Sequence, residues 1–285
     1  LLATCGIARG ADDHTPVRGH IRGAEQGPTL QRTAEVRKPP MRPDEIRIDD
    51  EIAVAQMISA IEEGVYTEAE LTHLRKKWRV RAGQVPVIGI TGTGGAGKSS
   101  VTDEILSRLL RFFPLMRIAV LAVDPSSSIT GGSILGDKTR MEELAREPSA
   151  FIRPSPAGST LGGVARKTRE TSILCEAAGF NIIIIETVGV GQSETAVKSM
   201  VDYFLLLLLP GAGDELQGIK RGIMEMADGI AINKADGENE ARARHASLDA
   251  KRALNLYPVG ENGWQVPVQM CSALEGANII DVWQD

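Results

Sequence analysis

Lys98 and Ser99 close the run Gly92-Thr93-Gly94-Gly95-Ala96-Gly97-Lys98-Ser99, whose small residues, single ammonium and closing hydroxyl are spaced to grip a phosphate chain. Glycine lets successive backbone N–H groups turn inward round an anion, and a helix that starts there adds positive potential. Lys98 can reach the outer phosphates, and the Ser99 hydroxyl can coordinate Mg²⁺. Gly94, Gly95, Ala96, Gly97, Lys98, Ser99 and Ser100 are therefore the expected phosphate-binding residues. A second tetrapeptide, Asn233-Lys234-Ala235-Asp236, has the residue types that select a base. An Asp carboxylate accepts hydrogen bonds from guanine N1 and N2, which adenine does not offer; a lysine stem can lie over the base, and the asparagine can tie this loop to the first. Ser272-Ala273-Leu274 follows, with the Ala273 N–H expected at the guanine oxygen. Together these residues predict bound GTP or GDP.

The elements that must carry these groups are visible as apolar runs. Residues 85–90, 118–123, 182–185, 204–209, 229–232 and 266–270 are strand-like, and helical stretches lie between several of them, at 101–110, 164–178, 215–226 and 240–254. Near-continuous Ile, Leu and Val in short runs means burial on both faces. The fold expected is an α/β P-loop NTPase three-layer sandwich with a mostly parallel central sheet. In such sheets ligands sit at the carboxyl ends of the strands. Asp124 follows the second run and Glu186 the third, so two carboxylates stand where a magnesium ligand belongs beside a P-loop.

Upstream, Val54, Met57, Ile58, Ile61 and Val65 share a helical face, and Gly64 can end that helix. Thr67 and Glu70 have capping-box spacing before Leu71, Leu74 and Trp78. Residues 41–84 thus predict a helical hairpin appendage packed on a GTPase domain at 85–285. Residues 1–40 have neither helical nor strand period and read as a disordered tail, with Met41 a candidate start. Asp12, Asp13, Glu25 and Glu35 argue against an arginine-rich transit peptide there. A net charge of −5 gives no electrostatic case for nucleic acid. Cys5, Cys175 and Cys271 are far apart, which argues against a disulfide framework or a cysteine metal site and favours a reducing, cytoplasmic setting. The longest apolar run is too short to span a bilayer, so no membrane partner is expected.

Longer blocks carry a family resemblance: residues 122–128, 131–141, 151–156, 160–164, 186–194 and 213–222. From about Val85 to Trp283 the chain resembles the MeaB/ArgK/MMAA family of P-loop GTPases, the G-protein chaperones of adenosylcobalamin-dependent acyl-CoA mutases. The resemblance implies that Ser99, Asp124, Asp137 and Glu186 form the magnesium neighbourhood, and that residues 131–141 and 189–194 are nucleotide-sensing switches. It implies a further switch at 214–220 through which a methylmalonyl-CoA-type mutase acts, with Gln217 and Lys220 turning toward the nucleotide beside Lys98 and Glu186 as the catalytic set. It also implies a homodimer, through a helical arm that in the stand-alone members follows at about the position of Asp285. The P-loop and its lead-in at 73–78 look more like the G domain of the fused isobutyryl-CoA mutase. A G-domain fragment of such a fusion is therefore one alternative, and a GTP-dependent binding module with negligible turnover is another. A MinD/ParA-type ATPase would carry its signature lysine where Thr93 stands, and a nickel-delivery GTPase would need clustered ligands, whereas His14, His20, His73 and His245 are scattered.

Overall fold

The structure, a computed structural model, describes residues 50–81, 85–125, 141–157, 161–187, 194–211, 221–257 and 263–284. The expectations for residues 1–40, for the segments around Asp137, and for Gln217 and Lys220 lie outside them.

Among the described residues, seven strands form one sheet in the order β3-β2-β4-β1-β5-β6-β7, and every pairing in it is parallel. They are β1 (Val87–Gly92), β2 (Ile118–Pro125), β3 (Ala150–Ala157), β4 (Ile182–Thr187), β5 (Tyr203–Leu208), β6 (Gly229–Ile232) and β7 (Val268–Met270). Alternate residues leave opposite faces of a strand. Ala119, Leu121, Val123, Ile183 and Ile185 enter one core, while Ile118, Val120, Ile182, Ile184 and Ile90 enter another. Both faces are thus apolar, which is why these runs read as continuous rather than alternating. The helices α1 (Glu51–Glu62), α2 (Glu68–Arg81) and α4 (Leu161–Ala177) line the first face; α3 (Lys98–Phe112) and α8 (Ile279–Gln284) line the second. Short α5 (Glu194–Lys198) adds Val197 to the first core, and α6 (Arg221–Met226) and α7 (Glu240–Leu254) cover β5 to β7.

β3 has no counterpart among the strand-like runs of the sequence, because Pro154 and Pro156 interrupt it. Proline cannot donate to a ladder and is confined to edges. Among the described residues, β3 is an edge strand that pairs only with β2, matching Ala122 with Pro154 and Asp124 with Pro156. The remaining strand bounds shift by no more than two residues, and β2 runs on through Asp124 to Pro125.

The N-terminal helices are built as the spacing predicts. Asp50 Oδ1 accepts from the Ala53 N–H at 2.9 Å, and Gly64 follows α1 at φ +70°. Thr67 and Glu70 satisfy each other reciprocally: the Thr67 N–H donates to Glu70 Oε2 at 2.7 Å and the Glu70 N–H to Thr67 Oγ1 at 3.3 Å. Val54, Met57, Ile58, Ile61 and Trp78 are buried in the same core as Leu121 and Ile183. Arg153 of β3 fastens the end of α1, donating to Glu62 Oε2 at 2.7 Å and Ser59 Oγ at 3.1 Å. Among the described residues, no helix is long and apolar enough to cross a membrane.

A candidate guanine-nucleotide site

The central strand β1 delivers the P-loop to the carboxyl edge of the sheet, where α3 begins. The turn needs left-handed backbone: Gly95 and Gly97 have φ +77° and +83°. Lys98 Nζ donates back to the carbonyls of Gly92 and Thr93 at 2.9 and 3.2 Å, so the ammonium spans the mouth of its own loop. Ser99, one residue into α3, donates to Glu186 Oε1 at 2.7 Å, and Thr102 Oγ1 lies 3.4 Å from Glu186 Oε2. Glu186 is the penultimate residue of β4, directly after four isoleucines, and it is buried. A buried carboxylate there has no role in packing.

The loop at residues 233–236 is joined to the P-loop by Asn233, itself buried. Its Nδ2 donates to the Ala96 carbonyl at 2.8 Å, and its Oδ1 accepts from the Ala273 N–H at 3.1 Å. The Ala273 N–H, expected at a guanine oxygen, is therefore directed to Asn233 in this structure. Gly97 has to be glycine for this contact as well as for its φ, since an added Cβ would lie 2.4 Å from Asn233 Nδ2. Ser272 Oγ donates to Asp236 Oδ2 and accepts from the Glu275 N–H at 3.1 Å, which holds the Asp236 carboxylate at the loop. Lys234 is a non-glycine residue at φ +59°. Left-handed backbone at such a residue costs about 1–2 kcal/mol, a strain that clusters at ligand sites.

An open cavity of ≈ 730 Å³ joins these parts, lined by Gly95, Gly97, Lys98, Ser99, Ser100, Asp103, Glu142, Glu186 and Lys234. Gly94 is exposed beside it, and Leu274 is exposed within the turn at residues 273–276. Asp124 stands at the carboxyl end of β2, next to β4 in the sheet. The donor set suits magnesium: Ser99 and Glu186 present hard oxygen ligands at the floor of the cavity, with neither thiolate nor imidazole among its lining. Sequence reasoning missed Thr102, Asp103 and Glu142. The first two were findable, three and four residues beyond Ser99 and so on its helix face; Glu142 reaches the cavity from another element. Burial pushes the Asp103 carboxyl up, even though it accepts from the Leu144 and Glu143 N–H groups.

Residues 54–285 match the family described as methylmalonyl-CoA mutase-associated GTPase MeaB. The chain belongs to this family. Among the relatives of this MeaB-family chain, the Escherichia coli GTPase ArgK is 52% identical over 69% of the chain and 59% of that protein. The mouse methylmalonic aciduria type A homolog, a mitochondrial protein, is 52% identical over 69% of the chain and 47% of that protein. A crystal structure of a LAO/AO transport system kinase superposes with a TM-score of 0.68 at 36% identity, covering 85% of the chain and 71% of that protein. The MeaB-family chain thus spans about half to three fifths of the curated relatives it matches.

Proposed function

We propose that this chain binds Mg·GTP and hydrolyses it to GDP and phosphate, and that its nucleotide state governs docking on an adenosylcobalamin-dependent acyl-CoA mutase of the methylmalonyl-CoA type. The observation that carries the nucleotide reading is the Asn233 bridge from Ala96 to Ala273, which joins phosphate grip and base-reading loop into one site. Membership of a family described as mutase-associated supports the partner.

In this reading the P-loop N–H groups and Lys98 hold the phosphates. Ser99, Asp124, Asp137 and Glu186 hold magnesium directly or through its waters. When bound, magnesium would supply charge neutralisation for the transferring phosphoryl group. Glu186, fixed by Ser99 and Thr102, orients what lies at that end of the cavity. The chain's task is positioning and charge stabilisation, with no covalent intermediate. Gln217 and Lys220 supply the partner-dependent step, since a cation moved into place is worth about 10³–10⁵ in rate in this reaction class. The mutase gains gated cofactor loading or protection, and the setting is the cytoplasm.

Multiple-turnover phosphate release from GTP and ATP, each with and without a mutase, tests the proposal. GTP-selective turnover that rises with the mutase is expected. Equal turnover of ATP would reject the base reading; tight GTP binding without turnover in either condition would leave a binding module instead.

A further inference from the structure

We infer that Asp103 is a positioning residue for the magnesium end of the cavity and acts through Glu142; this rests on the nucleotide-binding reading above. Asp103 lies four residues beyond Ser99 on α3, so the two share a helix face. Both line the cavity. Asp103 gives its two oxygens to backbone: Oδ1 accepts from the Leu144 N–H at 2.7 Å and Oδ2 from the Glu143 N–H at 3.4 Å. These groups open a short 3-10 turn, Leu144–Arg146, whose first flanking residue provides no side-chain cap of its own. The opening N–H groups of a helical turn need outside acceptors, and α3 supplies them from elsewhere in the chain.

The same short segment is held to α3 at two more points. Met141 and Leu144 are wholly buried in the core that α3 lines, and Arg111, further along α3, donates to Glu143 Oε2 at 3.0 Å. Glu142 sits between these anchored neighbours, is itself exposed, and lines the cavity with Ser99 and Glu186. Its main chain is thereby fixed on both sides relative to Ser99. A carboxylate kept at that wall can accept a hydrogen bond from a water on the metal, the role of an outer partner that orients inner ligands. Asp103, committed to N–H groups, sets where Glu142 stands.

A cap with no functional reach would predict a loss of stability alone, and the measurements separate the two. The full chain is compared as parent, Asp103→Ala, Asp103→Asn, Glu142→Gln and the Asp103→Ala/Glu142→Gln double variant. Two quantities are read: amide hydrogen exchange at residues 143–144 without nucleotide, and the Mg²⁺ concentration that half-maximally slows release of a fluorescent, non-hydrolysable GTP analogue. Asp103→Ala should speed the exchange and raise the Mg²⁺ requirement about tenfold, the scale of losing an outer partner. Asp103→Asn keeps an acceptor for the Leu144 N–H and should restore both. Glu142→Gln should raise the Mg²⁺ requirement alike, and the double variant should be no worse than either single one. Faster exchange in Asp103→Ala with an unchanged Mg²⁺ requirement would overturn the inference, as would single effects that multiply in the double variant. A parent that binds the analogue in a Mg²⁺-dependent way without hydrolysing GTP would sink only the proposed turnover. Release indifferent to Mg²⁺ in the parent would sink both.

Discussion

Replacing Asn233 by Ala tests whether the site is one unit or two adjacent loops. The side chain is buried and has two firm bonds, to the Ala96 carbonyl at 2.8 Å and from the Ala273 N–H at 3.1 Å. Ala96 is itself fully buried, so its carbonyl has no ready access to water once the amide is gone. Each buried group left unsatisfied costs about 1–3 kcal/mol, which puts Asn233→Ala, with two such groups, at about 2–6 kcal/mol. At about 2–4 °C per kcal/mol for a domain of this size, the melting temperature should fall by about 10 °C. Nucleotide affinity should fall too, because the base loop and P-loop no longer hold one another in register; a tenfold loss corresponds to about 1.4 kcal/mol. The assays are thermal melting without nucleotide and titration with a fluorescent GDP. Asn233→Asp sharpens the test. A carboxylate can still accept from Ala273 but faces the Ala96 carbonyl, so its burial should push its pKa up. The sign follows: that variant gains stability as pH falls, when the protonated acid can again donate to Ala96, and loses it as pH rises. A melting temperature within about 2 °C of the parent together with unchanged GDP affinity would refute the bridge as the coupling element.

Three more outcomes are expected. Asp236→Asn should weaken GTP binding by about 1–3 kcal/mol and improve binding of the xanthine nucleotide, whose carbonyl can accept from the amide; equal losses for both would reject the base-reading role. Ser99→Ala and Glu186→Gln should each raise the Mg²⁺ needed for hydrolysis, and Mg²⁺ titrations that overlay the parent would remove both from the metal site. Burial pushes the Cys175 and Cys271 thiols up to about 12, so both should resist alkylation in the folded protein and react after denaturation, read by peptide mass mapping. The unfolded thiols ionise near their ordinary value, so the stability tied to keeping them neutral is full below it and is lost as pH rises toward 12. A native protein whose two thiols alkylate freely at neutral pH would contradict this burial.

What the sequence disclosed was whatever is local. The P-loop, the carboxylate of Glu186 at a strand end and the Asn233–Asp236 tetrapeptide each announce themselves within a few residues, and the parallel sheet follows from strands apolar on both faces. Cross-element acts stayed hidden. Thr102 looks like any helical threonine until β4 brings Glu186 beside it, and Asp103 looks like a solvated charge until Leu144 arrives from 41 positions along the chain. β3 escaped because its prolines mimic a loop; only its place at the sheet edge makes them tolerable. The bond from the Ala273 N–H to Asn233 Oδ1 stayed hidden as well, because that acceptor belongs to another strand's end.

The order of strands also sets when the site comes into being. β1 carries the P-loop, yet its neighbours are β4 and β5, so residue 88 pairs with residues 184 and 203. Contacts that distant in sequence form late, since long loops must close before they are rewarded. During synthesis the P-loop leaves the ribosome with neither neighbour, and the Asn233 bridge waits further still, for Ala273. The last contacts made are those that join the two halves of the pocket. A ligand that engages both halves binds only the finished arrangement, and by mass action draws the population toward it. Under the proposed function, guanine nucleotide would then serve this chain as a fastener during biogenesis before any role as a substrate.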